Sequence, residues 1–303
     1  MKHGNKHKGV KYEFKSMQRQ TGGDNIIFIK SNMKRIRYRG VKDGGDYINT
    51  IDDDILDENS EFRIGSITKL FMDITILLMQ EKNELSVNDK LSKYIKSENP
   101  VNNFSEITLL DVMNHKSGMK RFYDDRRTLK HKNATEAMNL FINDPIFEHK
   151  KGEFVYSNIG FIILGAVIEK ITGINNYHKI IKKYILKPLK MKNTNVGETN
   201  VRLYNEHGKF LSEKEFDEIY YAASAGGLYS TIHDMMLFAK NMPTLFEDPN
   251  LIKLLSGMGH NDDKVNILTK NGLIHGGLSL IFIEYTPNWE FVDCKIEFET
   301  IVR

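Results

Sequence analysis

Apolar positions recur at the helical period of about 3.6 residues through most of the middle of the chain. The clearest predicted helix runs from residue 66 to about residue 82, and its apolar positions lie on one face: Ile67, Leu70, Phe71, Ile74, Leu77 and Leu78. Further helical segments are predicted at about 91–96, 108–114, 134–142, 158–172, 176–186 and 231–241. No strand pattern stands out between residues 83 and 219, and the stretch after residue 241 is predicted as loop until the last strands begin.

Strand patterns occur at the two ends of the chain. Residues 25–30 and 34–40 are short and β-prone, and Ser-Asn-Met between them predicts a hairpin. Residues 278–285 form another apolar strand, followed by a turn at 286–288. The last strand alternates charged residues with apolar ones, namely Val292, Cys294, Ile296 and Phe298. We therefore expect one of its faces to be exposed to solvent.

Strands at both ends with helices between them predict an α/β fold of the α+β type. The antiparallel β-sheet is formed by both chain ends and flanked by helices, and an all-helical lobe is inserted between them. We expect residues 1–65 and 220–303 to form the sheet-containing lobe and residues 66–219 the helical lobe. Ser66 then lies at the junction of the two lobes, where we expect the active site.

Composition narrows the possible partners. The 303 residues include 43 basic and 40 acidic side chains, a net charge of +3, which does not predict binding to nucleic acid. A single cysteine, Cys294, excludes an internal disulfide, and the histidines lack metal-ligand spacing, so we predict no metal and no cofactor.

Neither a transmembrane segment nor a signal peptide is predicted. The longest apolar run, residues 159–168, is about half of the roughly 20 residues that a spanning helix needs. The N-terminus is charged without an apolar core, so the expected location is cytoplasmic by default, or extracytoplasmic if the N-terminus is truncated.

A serine three residues before a lysine is the first candidate for chemistry. This spacing occurs three times, at Ser31, Ser66 and Ser117. Ser31 lies in a predicted turn, and Gly118 follows Ser117, whereas Ser66 begins a strong helix in which residues three apart share one face. Lys69 can therefore reach the Ser66 hydroxyl. The alternative is an N-capping serine followed by an exposed lysine.

The chemistry requires an unusual lysine. Free N–H groups at a helix start stabilise the anion that forms when Ser66 attacks a carbonyl group. Lys69 can act as a base near neutral pH only if burial and positive neighbours lower its pKa. Asp73, one helical turn further on, could instead raise the pKa of Lys69 and keep it protonated.

Six segments in sequence order resemble one known family: FRIGSITKLF, VMNHKSGM, FVYSNIGFIILGAVIEKITG, YILKPLKMKNT, SAGGLYSTIHDMMLFAK and LIHGG. They are similar to the serine β-lactamase-like hydrolases, the group of class C β-lactamases, D,D-peptidases and related esterases, from about residue 25 to residue 285. The resemblance implies that Ser66 is the nucleophile, Lys69 its partner and Tyr156 the proton carrier, with a pKa lowered by a nearby ammonium. Asn158 would hold the substrate amide.

The third family element is assigned less directly. The resemblance places His275, Gly276 and Gly277 on the strand that lines the cleft, with the backbone N–H groups of Ser66 and Leu278 as the oxyanion hole. Residues 270–272, Lys-Asn-Gly, are an alternative form of this element. In the second segment, Gly118 is expected to end a helix.

The implied function is a serine hydrolase that acts through an acyl-enzyme on esters or amides, namely a D-amino peptide, a β-lactam or a short ester. The alternative is a catalytically degenerate, penicillin-binding-protein-like binding or sensor protein. A histidine at position 275 carries less positive charge than lysine at neutral pH, so it predicts weak recognition of substrate carboxylates. We therefore expect neutral short esters to react fastest, D-amino peptides next and β-lactams slowest.

Overall fold

The structure is a computed structural model that describes residues 35–39, 60–122, 133–197, 199, 201, 224–261, 265–274 and 277–301. The predicted strand at residues 25–30 lies outside these residues, as do Ser31 and the candidate site residues His275 and Gly276.

An antiparallel sheet joins the two ends of the chain. The strands are β1 (Arg35–Arg39), β2 (Phe62–Arg63), β3 (Asn195–Val196), β4 (Leu228–Ser230), β5 (Met258–Asn261), β6 (Val265–Ile274), β7 (Gly277–Tyr285) and β8 (Phe291–Ile301). Within the described residues the larger sheet has five strands in the order β1-β8-β7-β6-β5, and a small sheet has the order β2-β4-β3. β1 pairs with β8, so residues from opposite ends of the chain are adjacent.

Helices fill the middle of the chain as the periodicity predicts. They are α1 (Thr68–Glu81), α2 (Leu109–Met113), α3 (Ala134–Asn139), α4 (Asn158–Thr172), α5 (Tyr177–Ile181) and α6 (Ile232–Asn241). A π-helical turn, Lys182–Leu186, continues α5. Short 3-10 turns occupy Gly65–Ile67, Leu91–Lys93, Met242–Leu245 and Pro249–Leu254. Helices and antiparallel sheets thus combine as expected, and the predicted fold class is confirmed.

Several elements differ from the sequence-based expectation: β2 and β4 are short strands that no pattern predicts, and the predicted helix at 91–96 is the 3-10 turn Leu91–Lys93. β5 and β6 form where we predicted a loop, since polar residues interrupt their apolar positions and the strands gain their stability from pairing. β3 has two residues, too few for a periodic signal. The division into lobes at residues 65/66 and 219/220 stays a prediction.

Gly118 does not end α2. The residue in left-handed conformation after this helix is His115, with φ 56°. Gly118, with φ 80°, lies in the following loop, where a β-carbon would be 2.4 Å from the His149 carbonyl oxygen. The glycine permits close approach of two loops, which a β-carbon would prevent. It also adopts a positive φ without the strain that other residues would have.

Helix α6 covers one face of the large sheet. The Cys294 Sγ of β8 lies 3.5 Å from the Met236 Sδ, and the Tyr285 hydroxyl of β7 donates a hydrogen bond to the Ala239 carbonyl oxygen at 2.8 Å. The rings of Phe71 and Phe238 pack α1 against α6, with 4.8 Å between their centroids. In β8, Cys294, Ile296 and Phe298 are buried, as the alternation predicts, whereas Val292, near the start of the strand, is 48% exposed.

Helix α4 runs through the helical region with its apolar residues buried from Ile159 to Ile168. Within the described residues no single helix has the length and composition to cross a membrane. The segments Asn158–Thr172 and Tyr177–Leu186 together have that length and composition, with a bend of 70° between them.

Glu169 ties three helices together. Its side chain is buried, and its carboxylate accepts hydrogen bonds from the backbone N–H groups of Ala134, Thr135 and Tyr177, each at 2.9 Å. It also accepts one from the Thr135 hydroxyl at 2.7 Å. These N–H groups belong to the first turns of α3 and α5 and have no partner within their own helices. One carboxylate on α4 therefore accepts hydrogen bonds from the first N–H groups of two other helices.

We predict that Glu169→Leu lowers the free energy of unfolding by about 3 kcal/mol or more, because each buried N–H group left without an acceptor costs about 1–3 kcal/mol. Glu169→Gln should lower it less, since the amide oxygen still accepts. Urea denaturation measures both, with the exposed Glu247→Gln as control. A Glu169→Leu variant as stable as the wild type would contradict this account.

Candidate active site

Ser66 lies in the 3-10 turn Gly65–Ile67, directly before α1. Strand β4 holds this turn, because the Ile64 N–H donates to the Leu228 carbonyl oxygen at 3.0 Å and the Leu228 N–H donates to the Thr68 hydroxyl at 3.1 Å. Ser66 is half-buried, whereas its chain neighbours Gly65 and Ile67 are buried.

Lys69 is fully buried, one turn further along the chain. Its Nζ lies 3.2 Å from the Ser66 Oγ. It donates hydrogen bonds to the Asn158 Oδ1 at 2.7 Å and to the Ala225 carbonyl oxygen at 2.5 Å. Neither feature of the alternative interpretation is present, since the serine does not cap the helix and the lysine is not exposed.

Tyr156 and Asn158 reach the same place from the start of α4. Ser157 between them has extended backbone, with φ −127° and ψ 120°. Neighbours of an extended residue project to one side, so both side chains point towards Ser66 and Lys69. The Tyr156 hydroxyl donates a hydrogen bond to the Ser66 Oγ at 2.5 Å. Ser157 points the other way and caps α4 through the Gly160 N–H at 3.1 Å.

Burial determines the protonation of Lys69. It lowers the pKa of Lys69 well below its usual range, and the positive charge of Lys270 lowers it further. A charged Asp73 would raise the pKa of Lys69, and Arg121 adds a smaller lowering. These effects favour a neutral amine.

The pKa of Tyr156 moves in the direction opposite to our expectation. Burial raises it, against smaller lowering effects of the hydrogen bond with Ser66 and the positive charge of Arg121. The expected lowering by the Lys69 ammonium does not occur, since burial favours the neutral form of both groups. Tyr156 is therefore a protonated phenol that donates to the Ser66 Oγ.

Strand β6 passes beside the Ser66 turn. A β-carbon on Gly65, which has φ 48°, would be 3.1 Å from both the N and the O of Leu273, and one on Gly272 would be 2.0 Å from the Ile64 carbonyl oxygen. The N–H and C=O of one strand residue point to the same side. The backbone of Leu273 therefore faces the Ser66 turn.

The backbone next to the Ser66 turn is not that of Leu278, which we expected to supply the second donor of an oxyanion hole. Leu278, the predicted second donor, belongs to β7 and pairs with Leu273, and Gly277 pairs with Ile274. The backbone beside Gly65 is that of Leu273, which sequence reasoning missed because β6 itself was not predicted. The Lys270 ammonium does not lie free at the cleft, since it donates a hydrogen bond to the Ser256 hydroxyl at 2.7 Å.

The sequence profile of the Beta-lactamase family matches residues 33–277, which is most of the chain. The protein belongs to the Beta-lactamase family. Ser66, Lys69 and Tyr156, brought together in the structure, lie within the matched residues.

Named members of this family are similar at a moderate level. A penicillin-binding protein of Bacillus subtilis (strain 168) is 27% identical over 223 residues, which are 71% of this chain and 44% of that protein. The teichoic acid D-alanine hydrolase of Staphylococcus aureus is 28% identical over 189 residues, 58% of this chain and 44% of that protein. The chain thus spans less than half the length of these two relatives.

A solved structure shares the fold. The D-stereospecific amidohydrolase from Streptomyces sp. superposes with a TM-score of 0.63 over 80% of this chain and 82% of that chain, at 20% identity. At this identity the likeness concerns the fold.

Compared with the sequence-based assignment, the structure of this Beta-lactamase family member adds two groups to the site. The Ala225 carbonyl oxygen accepts from Lys69, and the Arg121 guanidinium carbon lies 5.5 Å from the centre of the Tyr156 ring. Neither has a sequence signal of its own. Among the described residues no cluster of His, Cys, Asp and Glu could hold a metal ion.

Asp73 is an unusual acid for the middle of a core helix. Its carboxyl group is fully buried, and among the described residues neither oxygen has a hydrogen-bond partner. Burial raises the pKa of Asp73 to about 8, although the positive charge of Lys270 opposes the shift. A neutral Asp73 does not hold Lys69 in the charged form, which was our concern from the sequence.

We predict that Asp73 makes stability depend on pH. The unfolded chain releases this proton near its ordinary pKa of 3.8, whereas the folded protein keeps it to about 8, so the contribution to stability is lost as the pH rises between them. Each pH unit corresponds to about 1.4 kcal/mol. From about pH 5 to pH 7 the wild type should therefore lose about 3 kcal/mol relative to Asp73→Asn.

Urea denaturation at several pH values tests this, with the exposed Glu247→Gln as control for the loss of one negative charge. A constant stability difference between wild type and Asp73→Asn across this range would show that Asp73 is ionised in the folded protein.

Proposed function

We propose that this member of the Beta-lactamase family is a serine hydrolase in which Ser66 forms an acyl-enzyme with an ester or amide substrate. One observation carries the proposal: the Ser66 Oγ lies 3.2 Å from the Lys69 Nζ and 2.5 Å from the Tyr156 hydroxyl. A nucleophile within hydrogen-bond reach of two proton-transfer groups is the arrangement that acyl transfer requires.

Lys69 is the proposed base for the attack. A neutral amine has two N–H groups and one lone pair. The two N–H groups are used on the Ala225 carbonyl oxygen and the Asn158 Oδ1. The lone pair is then directed to the hydroxyl proton of Ser66, the third neighbour of the Nζ. Lys69 accepts this proton while the Ser66 Oγ attacks the substrate carbonyl carbon.

Tyr156 is the proposed acid for the leaving group. It is protonated at neutral pH and its hydroxyl already contacts the Ser66 Oγ, next to which the leaving group departs. The Asn158 Oδ1 accepts from Lys69, and its NH₂ group, which has no hydrogen-bond partner among the described residues, is proposed to donate to the substrate. The negative oxygen of the tetrahedral intermediate is stabilised by the N–H groups of Ser66 and Leu273.

The substrate proposal combines the family relatives with the surface around Ser66. One relative is named for hydrolysis of D-alanine on teichoic acid and a structural neighbour for D-stereospecific amide hydrolysis. Exposed apolar side chains occur on the segments that carry the site: Phe122, Phe154 and Leu273. We propose D-alanyl or other D-amino esters and amides with apolar groups as substrates, with short neutral esters as convenient probes.

Exposure to a fluorescent acyl probe followed by intact mass measurement tests the nucleophile. Ser66→Ala should abolish the adduct, Lys69→Ala should nearly do so, and Tyr156→Phe should slow labelling by about 10²–10⁴-fold, the usual effect of losing a proton carrier. Ser117→Ala is the matched control, because Ser117 has the same spacing to a lysine but is buried and accepts from the Met119 N–H.

Labelling retained in Ser66→Ala would refute the assignment of the nucleophile. A wild type that binds a substrate analogue but gains no adduct would favour the binding or sensor protein instead.

Arg121 carries a positive charge that could bind a substrate carboxylate. The expected order of substrates, which was based on the weak charge of His275, does not take this arginine into account. It is exposed and lies beside Tyr156. We predict that Arg121→Gln raises the KM for a D-alanyl peptide and for nitrocefin by about fivefold, the range of an exposed ion pair, and leaves a neutral p-nitrophenyl ester unchanged. Steady-state kinetics with Lys93→Gln, a remote exposed cation, as control would check this. Equal effects on charged and neutral substrates would remove Arg121 from substrate recognition.

A further inference from the structure

His115 occupies a backbone position that normally favours glycine. It is the second residue after the end of α2, where the His115 N–H donates to the Val112 carbonyl oxygen at 3.0 Å and the Lys116 N–H donates to the Asp111 carbonyl oxygen at 2.7 Å. These two bonds form a Schellman motif, and its left-handed residue is His115, with φ 56°. Glycine would fit this position without strain. The side chain of His115 therefore contributes something that glycine lacks.

His115 makes hydrogen bonds to the residues on both sides of Tyr156. Its carbonyl oxygen accepts from the Val155 N–H at 2.8 Å. Its Nδ1 accepts from the Ser157 N–H at 3.1 Å. The backbone that carries Tyr156 is thus held at two successive points by one residue.

The imidazole ring also packs directly on the Tyr156 ring. The ring centres are 4.5 Å apart with an angle of 32° between the planes, and the Phe161 ring lies 5.2 Å from the imidazole. The Lys69 Nζ is 4.9 Å from the centre of the Tyr156 ring. The phenol therefore has the imidazole as a close ring neighbour and the lysine amine beside it, and its hydroxyl reaches the Ser66 Oγ.

Hydrogen bonding assigns the tautomer of His115. Because the Nδ1 accepts from an N–H group, it carries no proton, and the neutral ring must carry its proton on the Nε2. The Nε2 is buried and has no partner among the described residues. Burial, followed by the charge of Lys270, lowers the pKa of His115 to about 3, so this neutral form persists at ordinary pH.

We propose that His115 is a positioning residue for Tyr156. Its neutral ring, protonated on the Nε2, keeps Tyr156 in the position from which the phenol hydroxyl donates to the Ser66 Oγ. The proposal rests on the proposed function for the role of Tyr156 in catalysis. A misplacement of about 1 Å at a proton-transfer group can lower a rate by about 10²-fold. His115 acts in this way without touching the substrate.

Two substitutions suit the left-handed backbone and so keep the fold. His115→Gly removes both the ring and the acceptor, whereas His115→Asn tolerates positive φ and can place its Oδ1 near the Ser157 N–H. We expect His115→Gly to lower kcat by about 10²-fold and His115→Asn to recover part of the loss. His178→Asn is the matched control, since His178 is also a buried histidine with an unpartnered Nε2 among the described residues. It should change stability only.

Two kinetic readouts separate positioning from general packing. With Tyr156 as leaving-group acid, His115→Gly should slow the hydrolysis of an alkyl ester more than that of a p-nitrophenyl ester, whose leaving group needs less protonation. In the Tyr156→Phe background, His115→Gly should cause no further loss. Full activity of His115→Gly, or an equal loss in both backgrounds, would overturn the proposal.

Nuclear magnetic resonance tests the inference independently of activity. Nitrogen-15 signals of the His115 ring should show a proton on the Nε2 and none on the Nδ1 between about pH 5 and pH 8. His115→Gly should shift the Tyr156 ring signals more than His115→Asn, because both variants lose the imidazole ring and only His115→Asn keeps an acceptor for the Ser157 N–H. A proton on the Nδ1, or equal shifts in the two variants, would overturn the inference even if the wild type is active. If the wild type forms no adduct with an acyl probe, the proposed function fails and these signals still decide the placement of Tyr156.

Discussion

The buried amine of Lys69 is the constraint on which the site depends. A charged ammonium without water is costly, so full burial favours the neutral form unless carboxylates compensate. The Nζ instead meets a backbone carbonyl, an amide oxygen and a serine hydroxyl. A neutral amine satisfies this set completely and retains a lone pair for Ser66. The same burial that favours the neutral form creates the base.

Placing these acceptors requires close packing elsewhere. On α4, a β-carbon at Gly165 would lie 2.4 Å from the Ser224 Oγ. The Ser224 hydroxyl donates to the Phe161 carbonyl oxygen at 2.9 Å, which fixes the chain next to Ala225. Ala225 in turn supplies the carbonyl oxygen for Lys69. The absence of one side chain in the core helix thus permits the contact that orients the lysine.

Some residues beside Ser66 and Lys69 lower the stability of the folded protein. Asp73 and the Nε2 of His115 are buried polar groups without partners among the described residues, and each such group destabilises the folded state. His115 also adopts a positive φ that glycine would accept more easily. Features of this kind are tolerated where chemistry needs a low dielectric environment and fixed geometry. Glu169, near the other end of α4, accepts hydrogen bonds from three backbone N–H groups and therefore stabilises the folded state.

Local features of the site could be inferred from the sequence, since they depend on short-range geometry. The helical period predicted α1 and α4. The three-residue spacing placed Lys69 within reach of Ser66, although Ser66 lies in the 3-10 turn before α1. Contacts between distant segments were decided only by the tertiary structure. The Ala225 carbonyl oxygen is 156 residues from Lys69, and β6, which brings Leu273 to the Ser66 turn, gains its stability from strand pairing instead of a periodic pattern. The direction of the Tyr156 pKa shift was also beyond the sequence, because burial outweighs the nearby charges and is a property of the folded protein alone.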